Sequence, residues 1–142
     1  PYILIIDHGE RSGVIVGMAV ILGKDFVGKI GKITRHYSEV VLPISKTFST
    51  LAGTAEGGGT GIINGEDEFM VLDHVIITDQ ISKNDTVITK GEENEKGVGI
   101  PADIIIGKII SVNKTETKPF QEAIVKSSLN FRNLTTVFII IK

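Results

Sequence analysis

The apolar residues of this chain come in short bursts, rich in Ile, Val and Thr, and each burst is closed by Gly, Asn, Asp, Ser or Lys. Side chains branched at Cβ pack well on a pleated surface and lose rotamer freedom in a helix, so such bursts build strands. The expected strands are Tyr2–Ile6, Gly17–Leu22, Phe26–Thr34, Glu39–Ile44, Ser49–Ala55, Gly61–Ile63, Glu68–Leu72, Val75–Thr78, Thr86–Thr89, Ile104–Val112, Phe120–Lys126 and Thr135–Ile141. One strand per roughly 8–12 residues is the spacing of a sandwich or barrel. Gly23-Lys24-Asp25 and Asn64-Gly65 tolerate positive φ and are expected to close hairpins, the second being the stronger signal. Helix is expected only as a turn or two in Ser128–Leu134, where Ser or Asn can cap and Phe131 and Leu134 stand three apart.

With 142 residues and 42% apolar side chains, the chain can bury a core without help from a metal or a disulfide. It has no cysteine, which removes disulfide frameworks, thiolate metal sites and cysteine nucleophiles. A formal charge of −2 and 6% aromatics argue against a dedicated nucleic-acid binder. The apolar runs Tyr2–Ile6 and Val137–Ile141 are far too short to cross a bilayer. The chain opens on Pro1 without a signal-peptide pattern, so it is expected to be an excised or processed segment of a longer protein.

An internal echo runs through the sequence. Phe26-Val27-Gly28-Lys29-Ile30 lies on Ile105-Ile106-Gly107-Lys108-Ile109, and Glu39–Ser45 lies on Glu122–Ser128, each pair about eighty residues apart and in the same order. That period is too long for a solenoid and fits two similar small barrels of about six strands, side by side. Gly13 and Gly17 bracket Val14-Ile15-Val16 as turn and strand start, while Gly28 and Gly107 break long strands where a small barrel must bend. These four glycines are structural positions.

No motif carries chemistry. Gly57-Gly58-Gly59-Thr60-Gly61 lacks the Lys-Ser/Thr and the strand–loop–helix setting of a phosphate cradle, so a mobile hairpin tip is expected. His8, His36 and His74 have no helical i, i+4 partner and are expected as exposed turn residues. A hydrolase on a double barrel would need a glycine-flanked nucleophile; only Ser12 and Ser38 stand near suitable turns, and no Gly-x-Ser-x-Gly occurs. Glu92-Glu93-Asn94-Glu95-Lys96 does not alternate as calcium ligands do and is expected as a solvated loop. Asn84, Asn113 and Asn133 match the Asn-x-Thr glycosylation pattern, which chance often supplies. No catalytic residue, metal ligand or cofactor site is assigned.

Five segments, taken in order, resemble one family: Asp7-His8-Gly9 followed by Gly13–Ile21; Phe26–Ile30; Ser38–Leu42; Asp85–Thr89 with Gly99-Ile100-Pro101 and Ile106–Ile109; and Phe120-Gln121-Glu122 with Asn130–Leu134. The family is the bacterial rod shape-determining protein MreC. The resemblance implies a paired-barrel region on the extracytoplasmic face of the inner membrane, in a parent anchored by a membrane helix outside this segment. It implies a non-enzymatic scaffold that self-associates and binds penicillin-binding transpeptidases and other membrane proteins of the elongation machinery. It also implies a discontinuous first barrel, residues 1–46 plus 131–142, with the second, 47–130, inserted. Two departures stand out: Thr89-Lys90-Gly91 precedes a charged loop, and Asp103 stands where the family usually has glycine. Asp can adopt the left-handed conformation that glycine would supply there. The competing readings are a hydrolase on a double barrel and a small-barrel nucleic-acid module.

Two expectations concern the C-terminal end. Val137-Phe138-Ile139-Ile140-Ile141 is too apolar on both faces for an exposed edge, so the terminal strand is expected to close a barrel with Tyr2–Ile6. Phe131 and Leu134 are expected to anchor the crossing back to the first barrel.

Overall fold

The computed structural model describes residues 3–131 and the backbone of Phe138–Ile139. Its strands are β1 (Ile3–Ile6), β2 (Ala19–Leu22), β3 (Asp25–Ile33), β4 (Ser38–Val41), β5 (Ser49–Thr54), β6 (Thr60–Gly65), β7 (Met70–Ile76), β8 (Thr86–Glu93), β9 (Gly99–Asn113), β10 (Phe120–Ser127) and β11 (Phe138–Ile139). The fold is all-β, and among the described residues no α-helix occurs.

Six strands run β9–β10–β7–β6–β5–β8, and a further pairing of β8 with β9 closes them into a ring. Inside it lie Phe48, Ile63, Met70, Leu72, Val87, Ile106, Ile109 and Val125. The other strands run β1–β4–β3–β2–β11 over a separate core, the first in chain order, of Ile6, Val14, Met18, Val20, Val27, Ile30, Val40 and Leu42. The wall between the cores explains the unbroken apolar run of β2 and the Phe26-Val27 pair of β3. Neighbouring residues on a strand face opposite ways, so Ala19 and Phe26 enter the closed ring's core while Val20 and Val27 enter the other. A strand buried on both faces has no polar alternation to show. The two sheets meet in one parallel bridge, Asp25 beside Ile105, where the Ile105 N–H donates to the Lys24 carbonyl at 2.8 Å. The Phe26 ring, entering from the wall, packs on the Phe48 ring inside the closed ring's core with centroids 5.6 Å apart.

The echo has a structural meaning. Gly28 in β3 faces β4, and a Cβ there would overlap the Val41 carbonyl oxygen; Gly107 in β9 faces β10, and a Cβ there would overlap the Lys126 carbonyl oxygen. Both glycines thus sit where a neighbouring strand comes too close for a side chain. Gly13 and Gly17 serve conformation instead, at φ +82° and +98°.

Several expectations are corrected. Glu68–Leu72 and Val75–Thr78 are one strand, β7, broken in register by a bulge in which His74 takes φ +58°. Asn64-Gly65 is not a hairpin turn. The chain reverses at Glu66–Phe69, with Asp67 at φ +77°, and Gly65 is small because its backbone lies against Ser45. The Gly57–Gly61 segment closes the β5–β6 hairpin as expected, with Thr60 and Gly61 already in β6, and it is packed: Gly58 lies against the Gln80 carbonyl and Gly61 against that of Asp73. A helical turn occurs at Glu10–Ser12, closed by the left-handed Gly13, where none was expected. Of the one expected in Ser128–Leu134, residues 128–130 are bend and loop, Phe131 has 3-10 geometry, and 132–134 lie outside the described residues.

The terminal strand pairs with β2, not with β1: Phe138 lies beside Ile21 and Ile139 beside Val20. The tight Gly23-Lys24 hairpin gives β3 one edge of β2 and leaves the other to receive this strand, while β1 pairs along β4. Leu134 and the rest of Thr135–Ile141 lie outside the described residues. Phe131 is half-buried against the first core, less than the full burial that would make it a major anchor.

Candidate interaction surface

The strongest arrangement for chemistry is weak on inspection. His8 Nδ1 lies 3.2 Å from Ser12 Oγ, and His8 Nε2 lies 3.7 Å from Asp7. The imidazole is largely exposed and Asp7 wholly so, so water competes for every contact and nothing fixes the ring. The other candidate serine, Ser38, is buried and its hydroxyl donates to the His8 carbonyl at 2.6 Å, which ties down the loop. His36 is exposed, and His74 sits on β7 rather than in a turn. Among the described residues, no group of three His, Cys, Asp or Glu could hold a metal.

The charged segment 92–96 forms the end of the β8–β9 hairpin. Its charged side chains are exposed, as expected, but the tip is built and anchored. Asn94 Oδ1 accepts from the N–H groups of Lys96 and Val98, at 2.9 and 3.1 Å. Val98 then turns into the first core, only 6% exposed, beside Gly17. Farther down the hairpin, Asp103 has φ +69°, the conformation a glycine would have supplied. The register shifts there, and buried Thr89 ties the irregularity together: its hydroxyl donates to the Pro101 carbonyl at 2.6 Å and accepts from the Ile104 N–H at 3.0 Å.

The outer face of the closed ring is unusually apolar. On β10 the inward positions are Gln121, Ala123 and Val125, so the large apolar residues Phe120 and Ile124 face outward. Gln121 is accepted inside because its Nε2 donates to the carbonyls of Ile76 and Asp79, at 3.0 and 2.6 Å. Beside Phe120 lies Ile76 of β7, and beside Ile124 lies Val71. Ile110 is the residue inserted by the β9–β10 bulge. Ile76 is 52% exposed and Phe120 and Ile110 45% each, while the His74 ring packs on Phe120 at 5.3 Å. Single exposed aliphatics are ordinary; a group spanning three strands marks a surface that meets something. The sequence carried a signal for it, since a strand with Gln and Ala on its inward side must turn its Phe and Ile outward.

Together these elements define an all-β module with two cores. A family model for the rod shape-determining protein MreC, barrel core, matches residues 2–141. The chain belongs to the MreC family. Comparison with curated proteins gives no match. Among solved structures, MreC from Listeria monocytogenes is similar at 25% identity and a TM-score of 0.83, over 96% of this chain and 66% of that one. This chain therefore spans just under two thirds of that relative's length. The major periplasmic domain of the cell shape-determining filament MreC is similar at 22% identity and a TM-score of 0.77, over 96% and 84%. The MreC fold recurs at 18% identity and a TM-score of 0.66, over 85% and 74%, in a complex between a penicillin-binding protein (PBP2) and MreC from Helicobacter pylori. Among the described residues, no helix is long and apolar enough to cross a membrane.

Proposed function

We propose that this chain is the extracytoplasmic scaffold module of a rod shape-determining protein, binding a penicillin-binding transpeptidase and further copies of itself, and catalysing no reaction. The apolar outer face of β9, β10 and β7 carries this reading, because a sheet with such a face exposed is incomplete without a partner. The PBP2 complex of the Helicobacter relative supports the class of partner. The periplasmic domain among the similar structures supports a place on the outer side of the inner membrane. The division into residues 1–46 plus 131–142 and 47–130 belongs to the same proposal, and the two separate cores support it.

Biolayer interferometry between this chain and the extracytoplasmic part of a PBP2-type transpeptidase from the same cell is the direct test. Saturable binding that weakens at least tenfold in Phe120→Asp is expected. Absence of binding across the micromolar range overturns the transpeptidase reading. An acylating serine probe that labels Ser12 stoichiometrically overturns the non-enzymatic one.

A further inference from the structure

The outward residues of β10 read Phe120, Glu122, Ile124, Lys126, so opposite charges stand two positions to either side of Ile124. Around each charge the surface is unbalanced. Lys126 lies directly across from Lys108 of β9; both are exposed, and neither has a salt-bridge partner among the described residues. Like charges directly opposite on a sheet repel. At the other end, Glu122 and Asp73 line a shallow cavity of about 220 Å³ with Phe120, Asn113, Thr115 and Lys118. With two carboxylates against the single Lys118 the hollow keeps a negative balance, and its aromatic wall suits a lysine, whose carbon stem packs on the ring while the ammonium meets carboxylates. Between the two ends lie Ile124, Val71 and Ile110.

We propose that this face binds a second copy of itself about a two-fold axis lying in the interface and crossing β10 at Ile124. Such an axis lays the two β10 strands over one another in opposite directions. Ile124 then meets Ile124, and Lys126 of each copy enters the Glu122–Asp73 hollow of the other. Each Glu122 in turn comes between Lys126 and Lys108 of its partner and removes their repulsion. The contact is isologous, so every favourable pair forms twice. The occupant follows from the charge pattern: one strand carries the cation, the anion and the apolar centre in an order that complements its own reversal. The proposal rests on the self-association part of the scaffold reading and gives that part a surface. The apolar centre is limited to Ile124, Val71 and Ile110 of each copy, so the isolated dimer is weak and gains from any tethering of copies.

Sedimentation equilibrium on the full chain, from about 10 μM to about 1 mM at low salt, tests it. The wild type is expected to dimerise. Glu122→Lys puts two lysine pairs in contact and Lys126→Glu puts two glutamate pairs in contact, so each alone is expected to weaken the dimer at least tenfold. The double variant E122K/K126E restores the pairing and the dimer. An equimolar mixture of the two single variants forms a heterodimer although neither self-associates. Circular dichroism establishes that each variant is folded. If the wild type dimerises and the single reversals change nothing, or their mixture stays monomeric, this surface is wrong while self-association stands. A wild type that is monomeric throughout overturns both, and transpeptidase binding, measured separately, is untouched by that result.

Discussion

Val98 belongs by sequence to the β8–β9 hairpin of the closed ring, yet its side chain lies in the core of the other unit with Val14 and Met18. Ala19 and Phe26 cross in the opposite direction. This exchange predicts that the two units unfold together, and Val98→Ala tests it. The change removes two carbons, about 0.8 kcal/mol each in transfer free energy, and the cavity left behind raises the cost to about 2–3 kcal/mol. For a chain of this size that lowers the unfolding midpoint by about 8–12 °C. The informative assay is native-state hydrogen exchange at two amides of the first unit: Gly17, which donates to the Ile30 carbonyl at 2.8 Å, and Ile30, which donates to that of Met18 at 2.9 Å. Both should exchange about 30- to 160-fold faster, the factor matching that free energy. Lys96→Ala, on the exposed tip, should leave them unchanged. Faster exchange confined to residues 86–104, or a total loss below about 0.5 kcal/mol, would refute the reasoning and make Val98 a local feature of its hairpin.

Gly107→Ala should cost about 3 kcal/mol or more, because its methyl overlaps backbone of β10, whereas Gly13→Ala, in open space at φ +82°, should cost only about 1–2 kcal/mol of backbone strain; urea unfolding measures both. Thr89→Val keeps the shape but orphans the Pro101 carbonyl and the Ile104 N–H, so a loss of about 2–4 kcal/mol is expected in the same assay. Asp103→Gly relieves a left-handed aspartate and should raise stability by about 0.5–1 kcal/mol, read as a higher calorimetric midpoint. Phe131→Ala should cost about 1–3 kcal/mol by urea unfolding, below the usual range for a fully buried Phe because the ring is only half-buried.

Strand existence was legible because β-branched bursts have few alternatives, and the Gly23-Lys24 hairpin was legible because a two-residue loop with its first residue at positive φ, here Gly23 at +62°, calls for glycine. What escaped was set by contacts distant in sequence. Gly65 looks like a turn glycine beside Asn64, but its smallness answers to Ser45, some twenty residues away. Asp73-His74 looks like a break between strands because a bulge places the same polar residues on the surface that a turn would. The pairing of the terminal strand with β2 follows from which edge the hairpin leaves open, and the apolarity that required a cover named no partner. Asp103 went the other way: the chemistry of aspartate alone anticipated its left-handed conformation.

Apolar residues on this molecule have two different causes. β2, which serves two cores, is apolar at every position because each face is covered from within, and the same holds for Phe26-Val27 of β3. β10 differs: Ala123 and Val125 complete the core, and Gln121 spends its inward position holding the 76–79 segment. The core therefore does not require Phe120 to be apolar, and a polar substitution there should cost no more than about 1 kcal/mol, the worth of its cross-strand contacts. The proposed interface accounts for its apolar character. A phenylalanine on the outer side of a sheet whose core is already complete then serves recognition and not the fold.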